Sequence, residues 1–207
     1  MTATTIIFVR HGETLWNKER RYQGQQDSPL SPAGLIQAEK VGQFLRNRSI
    51  QAVYSSDLKR AQLTAETIAK HHQLSPVIDP RLREMSFGVW EAKTREQVKL
   101  EYPDLWEARG QDALRTRIPG GELPLEVVQR FQDFLDAQVP RAFGKTIVVV
   151  SHGGALRLTI ASLLHIPLEK SHCLRQSNVG VSELRYLQQG RNCSWEAICI
   201  NSTAHVD

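Results

Sequence analysis

The sequence predicts an α/β fold: a three-layer sandwich with a mostly parallel central sheet, helices on both faces and a C-terminal antiparallel hairpin. Three observations carry this. Thr5-Ile6-Ile7-Phe8-Val9 and Thr146-Ile147-Val148-Val149-Val150 are short, continuous apolar runs, the pattern of strands covered on both faces. Strand patterns alternate with helical ones through most of the chain, as layered α/β sheets require. Near the C-terminus, Val181–Leu187 and Ser194–Ile200 flank a Gln-Gln-Gly-Arg-Asn turn, which reads as a hairpin.

The elements follow in order. After the strand at 5–9, residues 31–48 read as a helix: Ser31 suits the N-cap, Pro32 the first helical position, and Leu35, Ala38, Val41, Gly42 and Leu45 recur at helical spacing. Residues 51–55 read as a strand. Asp57 then suits the cap of a helix whose apolar face holds Ala61, Ala65, Ile68 and Ala69. Thr94 to Gln97 has capping-box form and opens a helix ending near Pro103. The stretch 108–122, rich in Arg and Gly, reads as irregular. A helix from about 123 to 138 buries Val127, Val128, Phe131, Phe134 and Leu135, and another spans about 154–164.

The 207 residues, 41% hydrophobic and 23% charged, suit one domain over 1–207 with a sizeable core. Residues 86–122 are expected to cover a pocket within it. Three cysteines at unrelated spacings suggest neither a zinc site nor a disulfide framework. A reducing, cytoplasmic setting fits them. The N-terminus lacks the basic and long apolar regions of a signal peptide, and no run of about 18 apolar residues predicts a membrane span. The net charge is +4, and 18 of the 26 basic residues are arginine, whose donor fork matches phosphate or carboxylate oxygens. The basic residues are dispersed, so nucleic acid is not an expected partner.

The chemistry lies where strands end. Ligands of open α/β sheets sit beyond the carboxyl ends of the strands. Arg10-His11-Gly12 ends the first strand, and Ser151-His152-Gly153-Gly154 ends the strand at 146–150. Arg60 lies in the first turn of the helix after strand 51–55, where free amides also favour an anion. Glu84 follows a loop-like Pro80-Arg81-Leu82-Arg83. Taken singly, a histidine reads as structural and a surface Arg or Glu as a solvated charge. Two histidines, two arginines and one carboxylate converging at one sheet end are what phosphoryl transfer to a nitrogen nucleophile needs.

Arg10-His11-Gly12-Glu13-Thr14-x-x-Asn17 resembles the signature of the histidine phosphatase superfamily, the phosphoglycerate mutase-like proteins. Supporting segments follow in order over roughly 5–200: Tyr22-Gln23-Gly24, Leu30-Ser31-x-x-Gly34, Ser55-Ser56-Asp57-Leu58-x-Arg60-Ala61, Arg83-Glu84-x-x-Phe87-Gly88-x-Trp90-Glu91, Pro119-Gly120-Gly121-Glu122 and Ser151-His152-Gly153. The resemblance implies that His11 is phosphorylated and that Arg10, Arg60 and His152 hold the phosphoryl group. It makes Glu84 the acid toward the leaving group and then the base toward water. Asn17, Gln23, Gly24 and Gly153 would line the phosphate side. The implied partner is a small-molecule phosphate ester, with no metal and no cofactor. An apolar edge strand near the C-terminus suits a homodimer.

Mutases that this sequence resembles at its N-terminus carry a longer insertion between the acid and the second histidine. Here 68 positions separate Glu84 from His152, which resembles the phosphatase branch. Cofactor-dependent phosphoglycerate mutase is the alternative reading, and a non-catalytic binding protein on the same fold is the alternative of another class. The segments 53–58 and 82–88 resemble α-ribazole phosphatases and broad-specificity phosphatases. Residues 201–205 resemble the end of metal-independent phosphoserine phosphatases. α-Ribazole 5'-phosphate and phosphoserine are therefore the candidate substrates. Two departures bear on specificity: Ala92 stands where Gly usually follows Trp-Glu, and Leu123 where Ser usually follows Pro-Gly-Gly-Glu. Trp90, Tyr102, Trp106 and Arg109 are candidates for touching the leaving group. For Trp90 core packing is the preferred reading, and for Arg109, Arg115 and Arg117 solvent exposure is. His71 and His72 read as exposed, and His165, His172 and His205 as structural.

Overall fold

The computed structural model describes residues 3–189 and 192–206. Six strands form one mixed sheet in the order β3-β2-β4-β1-β5-β6. They are β1 (Ala3–Arg10), β2 (Ala52–Ser55), β3 (Val77–Ile78), β4 (Thr146–Ser151), β5 (Val181–Gln189) and β6 (Asn192–Ser202). The helices are α1 (Leu15–Lys18), α2 (Pro32–Leu45), α3 (Lys59–Lys70), α4 (Arg95–Glu101), α5 (Pro103–Gln111), α6 (Pro124–Gln138) and α7 (Gly153–Leu163). The pairs β1–β4, β4–β2 and β2–β3 are parallel; β1–β5 and β5–β6 are antiparallel. The C-terminal hairpin is thus present, although Gly190 and Arg191 of its expected turn lie outside the described residues.

The continuous apolar runs are buried on both sides because alternate side chains point to opposite faces. Ile6, Phe8, Ile147 and Val149 join a core with Val127, Phe131 and Phe134 of α6 and Leu156 and Ile160 of α7. Ile7, Val9, Val148 and Val150 join a second core with Val41 and Leu45 of α2 and Ala61, Ala65 and Ile68 of α3. These two cores are the two interfaces of the three-layer sandwich. Each Val, Leu, Ile or Phe buried in them is worth about 1.5–3 kcal/mol over an exposed one.

Register places the site. Arg10 lies opposite Ser151 in the parallel β1–β4 ladder, so the next residues, His11 and His152, leave the sheet side by side. Three local expectations are corrected. Asp57 does not cap α3: its carboxylate pairs with Arg83 at 2.5 and 2.7 Å. The Lys59 N–H at the start of α3 instead donates to Asp27 Oδ2 at 2.5 Å, a cap supplied from another loop. The segment 108–122 is not irregular throughout, because α5 runs over Pro103–Gln111, with Pro103 at a first-turn position. His71 and His72 are half-buried rather than exposed, and His71 lies 3.5 Å from Glu39. β3 carries only two residues, both exposed, too short to show a period.

Both departures from the family pattern have a structural reading. Leu123 offers no side-chain cap to α6, yet its N–H donates to Glu126 Oε2 at 2.8 Å, so the second half of the capping box survives. Ala92 sits at φ +66°, where a Cβ is strained and glycine is not. Hydrogen bonds on both sides hold it there: its N–H donates to Tyr22 O at 2.8 Å, and Arg21 donates to its carbonyl at 2.9 Å. Ala92→Gly should therefore stabilise the fold by roughly 0.5–1 kcal/mol, raising the melting midpoint by about 2 °C. Calorimetry checks this, and an unchanged or lower midpoint counts against the strain.

Candidate active site

The site is assembled at the carboxyl ends of β1 and β4. His11 is buried, and its Nδ1 lies 2.7 Å from Gly12 O. A carbonyl only accepts, so Nδ1 carries the proton and Nε2 keeps its lone pair. The His152 ring is also buried, 5.1 Å from that of His11 between centroids, and neither of its nitrogens has a partner among the described residues. Burial holds the pKa of His11 well below the ordinary value of 6.5, and the charges of Arg60 and Arg10 push it the same way. Burial does the same to His152, followed by Arg60 and His11. Both rings are neutral at pH 7.

Two guanidiniums flank the pair. Arg60 is 1% exposed. It donates to Gln26 O at 2.6 Å, Gly24 O at 2.7 Å and Asp27 Oδ1 at 3.0 Å, while its Nε is buried without a partner among the described residues. Arg10 donates to Gln176 O at 2.8 Å, and its Nε is likewise buried and unpartnered. Desolvation lowers the pKa of each arginine, and Asp27 and Glu84 respectively oppose that.

Glu84 sits at the N-terminus of α7. Its Oε1 accepts from the Met85 and Ala155 amides, each at 2.8 Å, and its Oε2 from the Gly154 amide at 2.9 Å. Free amides at a helix start favour this anion. A Cβ on Gly154 would stand 2.7 Å from Glu84 Oε1, so glycine there makes room for the carboxylate. Arg130 of α6 fixes the loop carrying Glu84, donating to the carbonyls of Arg81 and Arg83 at 2.7 Å and of Glu84 at 3.0 Å.

The other expected residues surround this centre. Gly24 has φ +55°, and a Cβ there would run into Glu91 Oε1. Gln23 is buried with Oε1 unpartnered among the described residues. Gly153 lies against the Arg10 guanidinium. Asn17 stands one step back: its Oδ1 accepts from Thr14 N at 3.1 Å and from Asn178 Nδ2 at 3.2 Å, and Asn178 also donates to His11 O at 3.0 Å.

Beside Glu84 opens a cavity of about 650 Å³, whose lining includes Tyr22, Phe87, Trp106, Arg109 and Arg157. Trp90 reaches it too but is 3% exposed and packs with Val98 and Ile118, so both of its readings hold. Arg109 is corrected from solvent-exposed to half-buried: it donates to Thr116 O and contacts Met85 Sδ at 3.9 Å. Tyr102 packs behind the cavity, under Lys93. Arg115 and Arg117 are exposed.

The profile described as Histidine phosphatase superfamily (branch 1) matches residues 6–198. The chain belongs to this superfamily. Among its relatives, the "Probable phosphoglycerate mutase GpmB" of Yersinia pestis (strain Pestoides F) is 38% identical over 203 residues, covering 98% of this chain and 94% of that protein. Bacillus stearothermophilus YhfR superposes with TM-score 0.90 at 30% identity, covering 99% of this chain and all of that one. A mycobacterial glucosyl-3-phosphoglycerate phosphatase in complex with VO3 gives 0.87 at 29% identity, with coverages of 96% and 99%. The α-ribazole phosphatase of Shigella flexneri gives 0.83 at 30% identity, with 96% of each chain covered.

Sequence reasoning missed several residues that shape this superfamily site. Asn178 and Gln176 lie on the loop before β5 and bond to residues 160 or more positions away. Asn201, at φ +54°, holds that loop by accepting from Ser177 N at 2.6 Å. Its place in the C-terminal segment resembling phosphoserine phosphatases was the available clue. Among the described residues no helix is long and apolar enough to cross a membrane.

The two depressed histidines have a consequence for stability. In the unfolded chain both titrate near 6.5; in the folded chain both stay neutral to lower pH. Between those values the unfolded state binds more protons, so stability falls as pH drops below 6.5, by up to about 1.4 kcal/mol per pH unit per histidine. Urea unfolding at pH 7, 6 and 5 checks this. His152→Gln should show a shallower decline than the parent chain, and equal declines would contradict it.

Proposed function

We propose that this chain is a metal-independent phosphatase of small-molecule phosphomonoesters that works through a phosphohistidine on His11. The observation that carries the reading is the set of buried polar atoms around His11 that have no partner among the described residues: Nε of Arg10, Nε of Arg60 and both ring nitrogens of His152. Buried polar groups are otherwise paired, and these suit the equatorial oxygens of a phosphoryl group.

In the first step His11 Nε2, its lone pair directed by the Nδ1–Gly12 hydrogen bond, attacks phosphorus in line with the ester oxygen. The N–P bond forms, the P–O ester bond breaks, and Glu84 as the carboxylic acid gives its proton to the leaving oxygen. In the second step Glu84 as the carboxylate takes a proton from water, whose oxygen attacks phosphorus. The P–N bond breaks, and inorganic phosphate and neutral His11 return. Arg10, Arg60 and His152 hold the phosphoryl oxygens throughout, and Gly153, Gln23, Gly24 and Asn17 complete the wall.

Hydrolysis is favoured over transfer because the structural neighbours include an α-ribazole phosphatase and a glucosyl-3-phosphoglycerate phosphatase. The name of the 38% identical relative supports the mutase alternative. α-Ribazole 5'-phosphate and phosphoserine remain the first substrates to assay. With 3-phosphoglycerate, free phosphate should appear faster than the 2-isomer; the reverse order selects the mutase.

His11→Ala should abolish release of p-nitrophenol from p-nitrophenyl phosphate in the presence of a chelator, and full retained rate would exclude this mechanism. Gly154→Ala should displace the Glu84 carboxylate and lower kcat about a hundredfold. Inhibition by vanadate, which reports the His11 side, should change far less.

A further inference from the structure

Arg157 stands out among the arginines of the described residues. Arg81, Arg83, Arg117 and Arg130 each have a carboxylate partner. Arg10, Arg60 and Arg109 have carbonyl acceptors, and Arg95 stacks on Trp106 at 4.9 Å. Arg157 is half-buried, its Nε is buried, and it has no hydrogen bond or ion pair among the described residues. A guanidinium taken partly out of water without an acceptor is costly.

Its place is specific. Arg157 lies on α7 one turn after Gly154, whose amide holds Glu84; residues three apart on a helix are neighbours on one face. Arg157 lines the 650 Å³ cavity that Glu84 borders. It also lines a second cavity, of about 440 Å³, that includes Arg10, Gly153 and Arg175. Glu84 is the acidic residue lining these two cavities, and three amides already take its oxygens. Asp112 and Glu169 line a third cavity, of about 260 Å³, with Arg157, and neither forms an ion pair with it among the described residues. Arg109 adds like charge on the same wall, and the two guanidiniums repel one another. An anion entering between them offsets that repulsion, and a guanidinium fork fits a carboxylate or phosphate with two parallel bonds.

We propose that Arg157 is a specificity-determining residue that binds a second anionic group, a carboxylate or another phosphate, on the leaving-group portion of the substrate. The inference rests on the phosphatase reading, since it takes Glu84 to mark the leaving-group side. It makes a substrate with a neutral leaving group the poorer one.

Matched substrate pairs test it. 3-Phosphoglycerate and glycerol 3-phosphate differ by a carboxylate in place of a hydroxymethyl group; fructose 1,6-bisphosphate and fructose 6-phosphate differ by a second phosphate. The parent chain should prefer the more anionic member of at least one pair by about tenfold or more in kcat/KM, the worth of a charge-assisted hydrogen bond. The pair that discriminates names the anion. Arg157→Met should bring that ratio to within about threefold of unity, and Arg157→Lys should restore part of it. Equal kcat/KM within both pairs, or a preference that survives Arg157→Met, overturns the proposal. p-Nitrophenyl phosphate separates the two readings. If the parent chain hydrolyses it above the His11→Ala background while neither pair discriminates, only the Arg157 proposal falls. If it hydrolyses neither this ester nor either pair, the phosphatase reading falls and takes the proposal with it.

Discussion

Burying the Arg60 guanidinium is the constraint on which the rest of the site depends. A cation that is 1% exposed must be met by acceptors or the fold loses several kcal/mol. The acceptors come from one loop, residues 24–27: two carbonyls and the Asp27 carboxylate. That loop must curl around the guanidinium, which is why Gly24 takes a positive φ. Glu91 ties it to the 86–87 segment through the amides of Gln25, Gln26 and Phe87. Asp27 also supplies the cap of α3, the helix that carries Arg60. Cation, cap and loop therefore form one unit rather than three separate contacts.

The same burial sets the chemistry. With two arginines nearby and little water, an imidazolium at position 11 or 152 is unfavourable, so both rings are neutral at pH 7. A neutral imidazole is a nucleophile and a protonated one is not. In the proposed mechanism the cations thus serve twice, keeping the imidazole reactive and offering donors to an incoming anion. Glu84 stands apart from this group of bases, held by the amides at the start of α7 and by the loop that Arg130 fixes. In the proposed mechanism that division, bases and cations at the strand ends and a carboxyl at a helix start, keeps attack on phosphorus apart from protonation of the leaving oxygen.

Much of this was legible in the sequence because it is local. The runs at 5–9 and 146–150 announce buried strands, and the residues after them, His11 and His152, must emerge at one sheet edge. Ser31 and Thr94 cap their helices as their spacing implies. What escaped was set by long-range contacts. Asp57 reads as a cap until Arg83, 26 residues on, claims its carboxylate. Asn178 reads as an ordinary loop residue until it reaches the His11 carbonyl. The helix at 103–111 has a weak apolar period, since it packs through Leu105 and Trp106 on a small cluster rather than on the main core; Pro103 was its one clear signal. Arg109 reads as solvated until that helix turns it toward Met85.

The central claim is that His11 carries the phosphoryl group between the two steps. Its most direct test is rapid acid-free quenching of the enzyme during turnover, followed by ³¹P NMR and peptide mass spectrometry of the trapped protein. The account predicts one alkali-stable, acid-labile phosphate per chain, bonded to Nε2 of His11 and absent from His11→Gln. Turnover with no protein-bound phosphate, or with the phosphate on another residue, would contradict it.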